Sequence, residues 1–558
     1  MPCAITRPAR TAPIGRRPTG PYDGVAVMTD RAHLPPRRFA GVFFAAAWAL
    51  TGCAGPGPEL FPPAPLRVET GDGVESRYYD LNEDGKPEYA ERLDDSGRVS
   101  QLLFDEDEDG AFELTIDRLH SARGGAGGRH LIVIVDSVPY GMVRDAWGGG
   151  RFRLFYPPSP VIAPFPAMTD LSMAEFFGTS PSLGVEAEYY DGKSLNDAYG
   201  AYAGEGVAGS WTRFTDYHLV PLAHVAAYLR PEPWWGHELG RIQRRFFRSE
   251  EPVFIGYVVT TSAIGSHFGR NGHAAALVRL DRFCQAVMHR LKGRVQITLL
   301  SDHGHYMKPS RRIDLEKLLT GCGFRPSGRL RSPRDVVIPM FGLVSYAGIY
   351  TNRPADVARD VVHFEGIDLA MYLRDDDVIV ILDRDGRATI ESDGTGYRYT
   401  ALRGDPLKLT EIFASLPADG DGFVDDRLLL AATAGHEYAD AVDRLWRAFH
   451  GLMTHTPDVI VSVGDGWHCG SPLQDSLLTM KATHGNLGPP SSTAFVMTTA
   501  GRLSGVTRMK DLAGALRGLG VPVRGDGDES ENTGPADGDS VDASSGSAAS
   551  PVAAGVRR

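Results

Sequence analysis

The chain is poor in cysteine: of 558 residues only Cys3, Cys53, Cys284, Cys322 and Cys469 are thiols, and no two form a CxxC pair. A disulfide framework and a thiolate zinc ribbon are therefore excluded. A basic excess is also lacking. Lys and Arg number 58 against 70 Asp and Glu, a net charge of −12, so no domain-wide basic face can displace counterions from phosphates, and no nucleic-acid partner is expected. Long apolar runs are missing too: Phe39 to Leu50 is too short for a comfortable permanent membrane span. Large apolar side chains almost disappear from Gly525 to Arg558, which reads as a disordered tail. Elsewhere, 42% hydrophobic and 23% charged residues demand a folded core. The length suits one large α/β domain with appendages, or two to three modules.

Arg31, Arg37 and Arg38 precede the apolar run, and Thr51-Gly52-Cys53 follows it, the order of an export signal. The ending Leu50-Thr51-Gly52-Cys53 resembles the lipobox of bacterial lipoproteins. That resemblance implies cleavage before Cys53, lipidation of its thiol and a membrane partner at the periplasmic or extracellular face of the cell envelope. Residues 1–53 form this signal region, and 54–70, rich in Pro and Gly, read as an extended spacer.

Residues 71–122 read as an acidic β module. Asp80, Asn82 and Asp84, with Gly85 at position six and Glu91 at position twelve, have the spacing of a calcium loop. A second copy, Asp105, Asp107, Asp109 and Gly110 with Glu113, carries Ile116 at position twelve. The short segments 76–79 and 101–104 suit strands, so a β-hairpin repeat is expected instead of helical hands. Both loops resemble the DxDxDGxxE calcium repeats of extracellular bacterial proteins.

From His130 the pattern changes. The continuous apolar run Leu131 to Val135 reads as a strand buried on both faces of a parallel sheet, and it ends in Asp136-Ser137. Val295 to Leu300 likewise ends in Ser301-Asp302-His303, Phe254 to Val259 leads to His267, and Lys481-Ala-Thr-His484-Gly485 precedes the run Ala494 to Met497. Carboxyl ends of parallel strands are where open α/β sheets build their sites. Mixed Asp and His donors suit zinc or manganese, and a cation on Asp136 that also reached Ser137 would make its hydroxyl a nucleophile. Apolar residues at helical spacing over 217–228, 279–291 and 438–453 predict helices. The expected fold is α/β, a doubly wound, mostly parallel sheet over 130–520, with a strand-rich insertion at about 355–405.

The ordered set Asp136-Ser137, His267, Asp302-His303 and His484-Gly485 resembles the alkaline phosphatase superfamily, most closely its type I phosphodiesterase/nucleotide pyrophosphatase branch, across about residues 130 to 500. The resemblance implies Ser137 as the nucleophile, one metal on Asp136, Asp302 and His303, and another on His267 and His484. Thr169 and Asp170 fall in what looks like the substrate-side loop, with Asp170 where the branch often has Asn. In the third segment the family's Asp, four residues before the His, is replaced by Ala263, and Asp465 is a candidate substitute. His273, His305 and Lys308 lie near these motifs as surrounding residues. The expected activity is metal-dependent hydrolysis of a phosphodiester or pyrophosphate. A phosphotransferase acting on envelope glycan or lipid, or a non-catalytic binding protein of the same fold, are the alternatives. Ser137-Val-Pro139 does not match the sulfatase signature.

Overall fold

The two apolar patterns of the sequence become two kinds of sheet. The computed structural model describes residues 55–71, 73–118, 128–186, 188–197, 211–217, 227–340 and 342–525. The segment read as an export signal, Cys53, most of the helix expected over 217–228 and the tail beyond residue 525 lie outside these residues.

The N-terminal module is a five-stranded antiparallel meander, Arg67–Gly71, Val74–Tyr79, Tyr89–Leu93, Val99–Phe104 and Leu114–Asp117, each strand paired with its neighbour. Its two acidic loops are the second and fourth connections. In the main sheet, Arg129–Val135 lies between parallel strands Val253–Val258 and Val295–Leu300. Thr493–Thr498 joins antiparallel to Val295–Leu300, and Ser159–Ile162 and Thr507–Arg508 complete the edge. Alternation along the central strand sends Leu131, Val133 and Val135 to one face, against helices Tyr140–Gly148 and Thr260–Arg290. Ile132 and Ile134 face the other, with helices Thr169–Phe177 and Met509–Gly518. Burial on both faces explains why these strands read as unbroken apolar runs.

The strand-rich insertion is wider than 355–405. Strands from Arg325–Pro326 to Val459–Val463 form a separate nine-stranded sheet among the described residues. Tyr346–Thr351 pairs with Val459–Val463, which in turn pairs with Ile367–Leu373. Such pairing between segments far apart in the chain leaves no local signature.

The Pro/Gly stretch expected as a spacer is laid along the body. Gly55 N–H donates to His237 Nδ1 at 2.8 Å, Glu59 exchanges two bonds with Gln243, and Phe61 is buried between Tyr79 and Tyr89 with its N–H on the Arg282 carbonyl. The meander also docks on the α/β body. Arg118 reaches the Gly293 and Val295 carbonyls, and Lys292 pairs with Glu106.

Glu91 is part of this core and is not a loop ligand. It is buried on its strand, and the hydroxyls of Tyr89 and Tyr79 donate to it at 3.1 and 3.4 Å. Burial pushes its carboxyl up from 4.5 to about 7. Because the folded value lies above the unfolded one, this group's contribution is complete below about pH 4.5 and is lost as pH climbs through 7, a cost of roughly 3 kcal/mol when fully ionised. Glu91→Gln is therefore expected to flatten the decline in melting temperature between pH 5 and 8, measured by thermal denaturation.

Candidate active site

Parallel pairing sets the site. Leu300 lies opposite Ile134 and Val135 opposite Val258, so the residues just beyond these strands emerge side by side at one sheet edge. Asp136, Asp302 and His303 offer donor atoms all within 4.8 Å of one another, and all three are buried. His303 Nε2 is 3.4 Å from Asp302 Oδ2 and 3.8 Å from Asp136 Oδ1. Its Nδ1 lies 2.9 Å from the Gly304 carbonyl, which assigns the proton to Nδ1 and leaves the Nε2 lone pair facing the carboxylates. Burial and the neighbouring Asp302 charge drive the Asp136 carboxyl well above its ordinary value. Two buried carboxylates and one correctly oriented imidazole fit a divalent transition metal.

Ser137 has φ +61° and bridges both carboxylates. Its N–H donates to Asp302 Oδ1 at 3.0 Å and its hydroxyl to Asp136 Oδ1 at 2.6 Å. The left-handed backbone of a non-glycine residue is a local strain that this double anchorage maintains. Ser137 is fully enclosed, at 0% exposure. Thr169 approaches the same cluster from the other side. It opens the helix Thr169–Phe177, retains 7% exposure, and its Oγ1 donates to Asp302 Oδ2 at 2.7 Å and lies 3.4 Å from His303 Nε2.

Asp170 is turned elsewhere. Its oxygens accept from the backbone N–H groups of Leu171 and Glu186, at 3.0 and 3.1 Å, placing it outside the cluster. His267 and His484 are also outside it. His267 Nε2 is 2.6 Å from the Tyr228 carbonyl, while His484 points Nδ1 at the Ala167 carbonyl and stacks on His303 with ring centroids 4.3 Å apart. Asp465 accepts from Asn486 Nδ2. Behind His484 lies a buried pair, His273 Nε2 to His305 Nδ1 at 3.1 Å. Burial holds His273 down at about 3 and His305 well below its ordinary value, so both rings are neutral.

Tyr257, Tyr228 and Glu238 were missed from sequence. The Tyr257 hydroxyl donates to Asp302 Oδ2 at 3.2 Å, yet a Tyr in a strand reads as an ordinary β-former. Ser262 Oγ is 3.1 Å from Ser137 Oγ and 3.2 Å from the Tyr228 hydroxyl. Glu238 accepts from the backbone N–H groups of Val259 and Thr260 and from the Thr260 hydroxyl, at the start of the following helix. Only the fold brings these residues to the edge.

In the N-terminal module the acidic loops close at position nine, where twelve had been expected. Asp80, Asp84 and Glu88 form one group, and Asp105, Asp107, Asp109 and Glu113 the other. Glu88 accepts from Leu81 N and Glu113 from Glu106 N, the same bond in each copy. Asn82 accepts from Asp84 N at 2.9 Å. In the second loop Asp105 Oδ2 accepts from Gly110 N, whereas its buried Oδ1 has no hydrogen-bond partner.

No protein-family model matches the chain, and no curated protein matches it in sequence. Among solved structures it is similar to murine ectonucleotide pyrophosphatase/phosphodiesterase 5, at 11% identity and a TM-score of 0.38, over 71% of this chain and 96% of that one. The human protein of the same name gives 12% identity and a TM-score of 0.37, over 71% and 97%.

Proposed function

We propose that this chain is a metal-dependent hydrolase of phosphate esters, diesters or pyrophosphates, with Thr169 as the nucleophile. The observation that carries the reading is the meeting of Asp136, Asp302 and His303 with the Thr169 hydroxyl at the start of a helix. Zinc or manganese held by these three residues would supply positive charge for the phosphoryl oxygens and lower the pKa of a nearby hydroxyl. Thr169 Oγ1 gives its proton to Asp302 Oδ2, leaving its lone pairs for phosphorus; an O–P bond forms to Thr169 as the bond to the leaving oxygen breaks, and that oxygen takes the proton from Asp302 to depart as the alcohol. Water then cleaves the phosphothreonine and returns the proton. The N–H groups at the helix start favour the incoming anion. Ser137, first expected in the attacking role, orients the two carboxylates.

The test is hydrolysis of bis(p-nitrophenyl) phosphate by chelator-stripped protein with and without zinc. Turnover that needs zinc and disappears in Asp136→Asn supports the reading, and turnover no greater than that variant's rejects it.

The acidic loops are assigned to calcium, whose preference is for several oxygen donors. The unpaired, buried Asp105 Oδ1 supports this for the second loop. Calorimetric titration of the full chain with calcium is expected to show two sites, with Asp105→Asn removing one. No heat of binding would refute the assignment.

The export signal and Cys53 support a lipid-anchored position at a bacterial membrane. Gly55 is already bonded to the body, so a lipid on Cys53 would be separated from it by two residues, about 7 Å of extended chain. The enzyme would work against the membrane surface. Cys53→Ser is expected to move the protein from the membrane to the soluble fraction on fractionation.

A further inference from the structure

The second metal position implied by the motif resemblance lacks its anionic donor, and the residues around it are engaged otherwise. Ala263 is fully buried where a carboxylate would stand. His267 spends Nε2 on the Tyr228 carbonyl, and Glu238 spends its carboxylate on Val259 and Thr260. Two imidazoles, one with its Nε2 already on a carbonyl, fall short of the three protein ligands that a catalytic zinc takes, so this donor set does not fit one.

Beside Ala263 runs a chain of hydroxyls. Ser137 Oγ lies 2.6 Å from Asp136 Oδ1 and 3.1 Å from Ser262 Oγ. Ser262 in turn accepts from the Tyr228 hydroxyl at 3.2 Å. The contacts run from Tyr228 to Ser262 to Ser137 to Asp136, the last a carboxylate of the metal cluster. Hydrogen bonds chained this way polarise one another, and their charged end is the strong one. His267 completes the arrangement by fixing the Tyr228 backbone.

Resting on the hydrolase reading, we infer that this chain operates with one transition-metal ion, the second having been replaced by the hydroxyl chain Tyr228–Ser262–Ser137, which holds Asp136 in position for the first. Ser262, Tyr228 and His267 are thus positioning residues. Ser262 acts through Ser137 and not on the substrate.

The test is zinc titration of chelator-stripped full chain, with calcium in excess to keep the acidic loops filled, read by calorimetry and by metal analysis after gel filtration. One zinc equivalent is expected, absent in Asp136→Asn and still present in His267→Ala. Ser262→Ala is expected to weaken zinc roughly 10- to 100-fold, as loss of an outer partner does, with its melting temperature in chelator unchanged; Ser262→Thr should restore the affinity. Two equivalents with one lost in His267→Ala would overturn the inference, as would no zinc binding, or unchanged affinity in Ser262→Ala. One equivalent bound without ester hydrolysis would sink the hydrolase reading and leave the single-ion assignment standing.

Discussion

Thr169→Ala is expected to lower the rate of diester hydrolysis by at least ~10³-fold while zinc still binds, because the variant loses the attacking oxygen and keeps Asp136, Asp302 and His303. Ser137→Ala should behave differently. Ser137 touches both carboxylates and is sealed from solvent, so its loss should act through the metal, weakening zinc roughly 10- to 100-fold and recovering rate at high zinc. Steady-state kinetics across a zinc series separates the two. If Ser137→Ala stayed inactive at saturating zinc while Thr169→Ala kept its rate, the roles assigned here would be reversed.

Asp302→Asn should have the other large effect. Asp302 is fully buried, accepts from Ser137 N, His303 N, the Thr169 hydroxyl and the Tyr257 hydroxyl, and supplies one of two negative charges to the cluster. The amide can still accept hydrogen bonds, so the fold should survive, but half of the anionic charge is gone. Zinc affinity should fall by well over the ~100-fold that loss of an outer partner brings. The zinc-induced rise in melting temperature should vanish, since a ligand stabilises only as far as it binds the folded state. A variant that retained this rise would show that the metal, if any, sits elsewhere.

The sheet was legible because its central strands are buried on both faces. Leu131 to Val135 and Val295 to Leu300 carry that burial as unbroken apolar runs, and their ends delivered Asp136, Asp302 and His303 to one edge. The acidic hairpins were legible through acidic spacing and glycine, but the carboxylate that joins the first loop was misjudged. Counting to twelve reached Glu91, whereas strand pairing buries that residue beside Tyr79 and Tyr89 and leaves Glu88 in the loop. His267 and His484 stand outside the cluster of Asp136, Asp302 and His303, although each spends only one ring nitrogen on a carbonyl, of Tyr228 and of Ala167. From sequence, Ser137 ranked as the nucleophile and Thr169 as a substrate-side residue. Both are hydroxyls near a metal motif that donate to a cluster carboxylate, and what separates them is that Ser137 also binds the second carboxylate through its N–H while Thr169 opens a helix.

The most direct measurement is to quench the zinc-loaded protein in acid during turnover of a diester and locate the phosphorylated residue by peptide mass spectrometry. Phosphate on Thr169 is the result predicted here; phosphate on Ser137, or turnover with no phosphorylated residue at all, would contradict it.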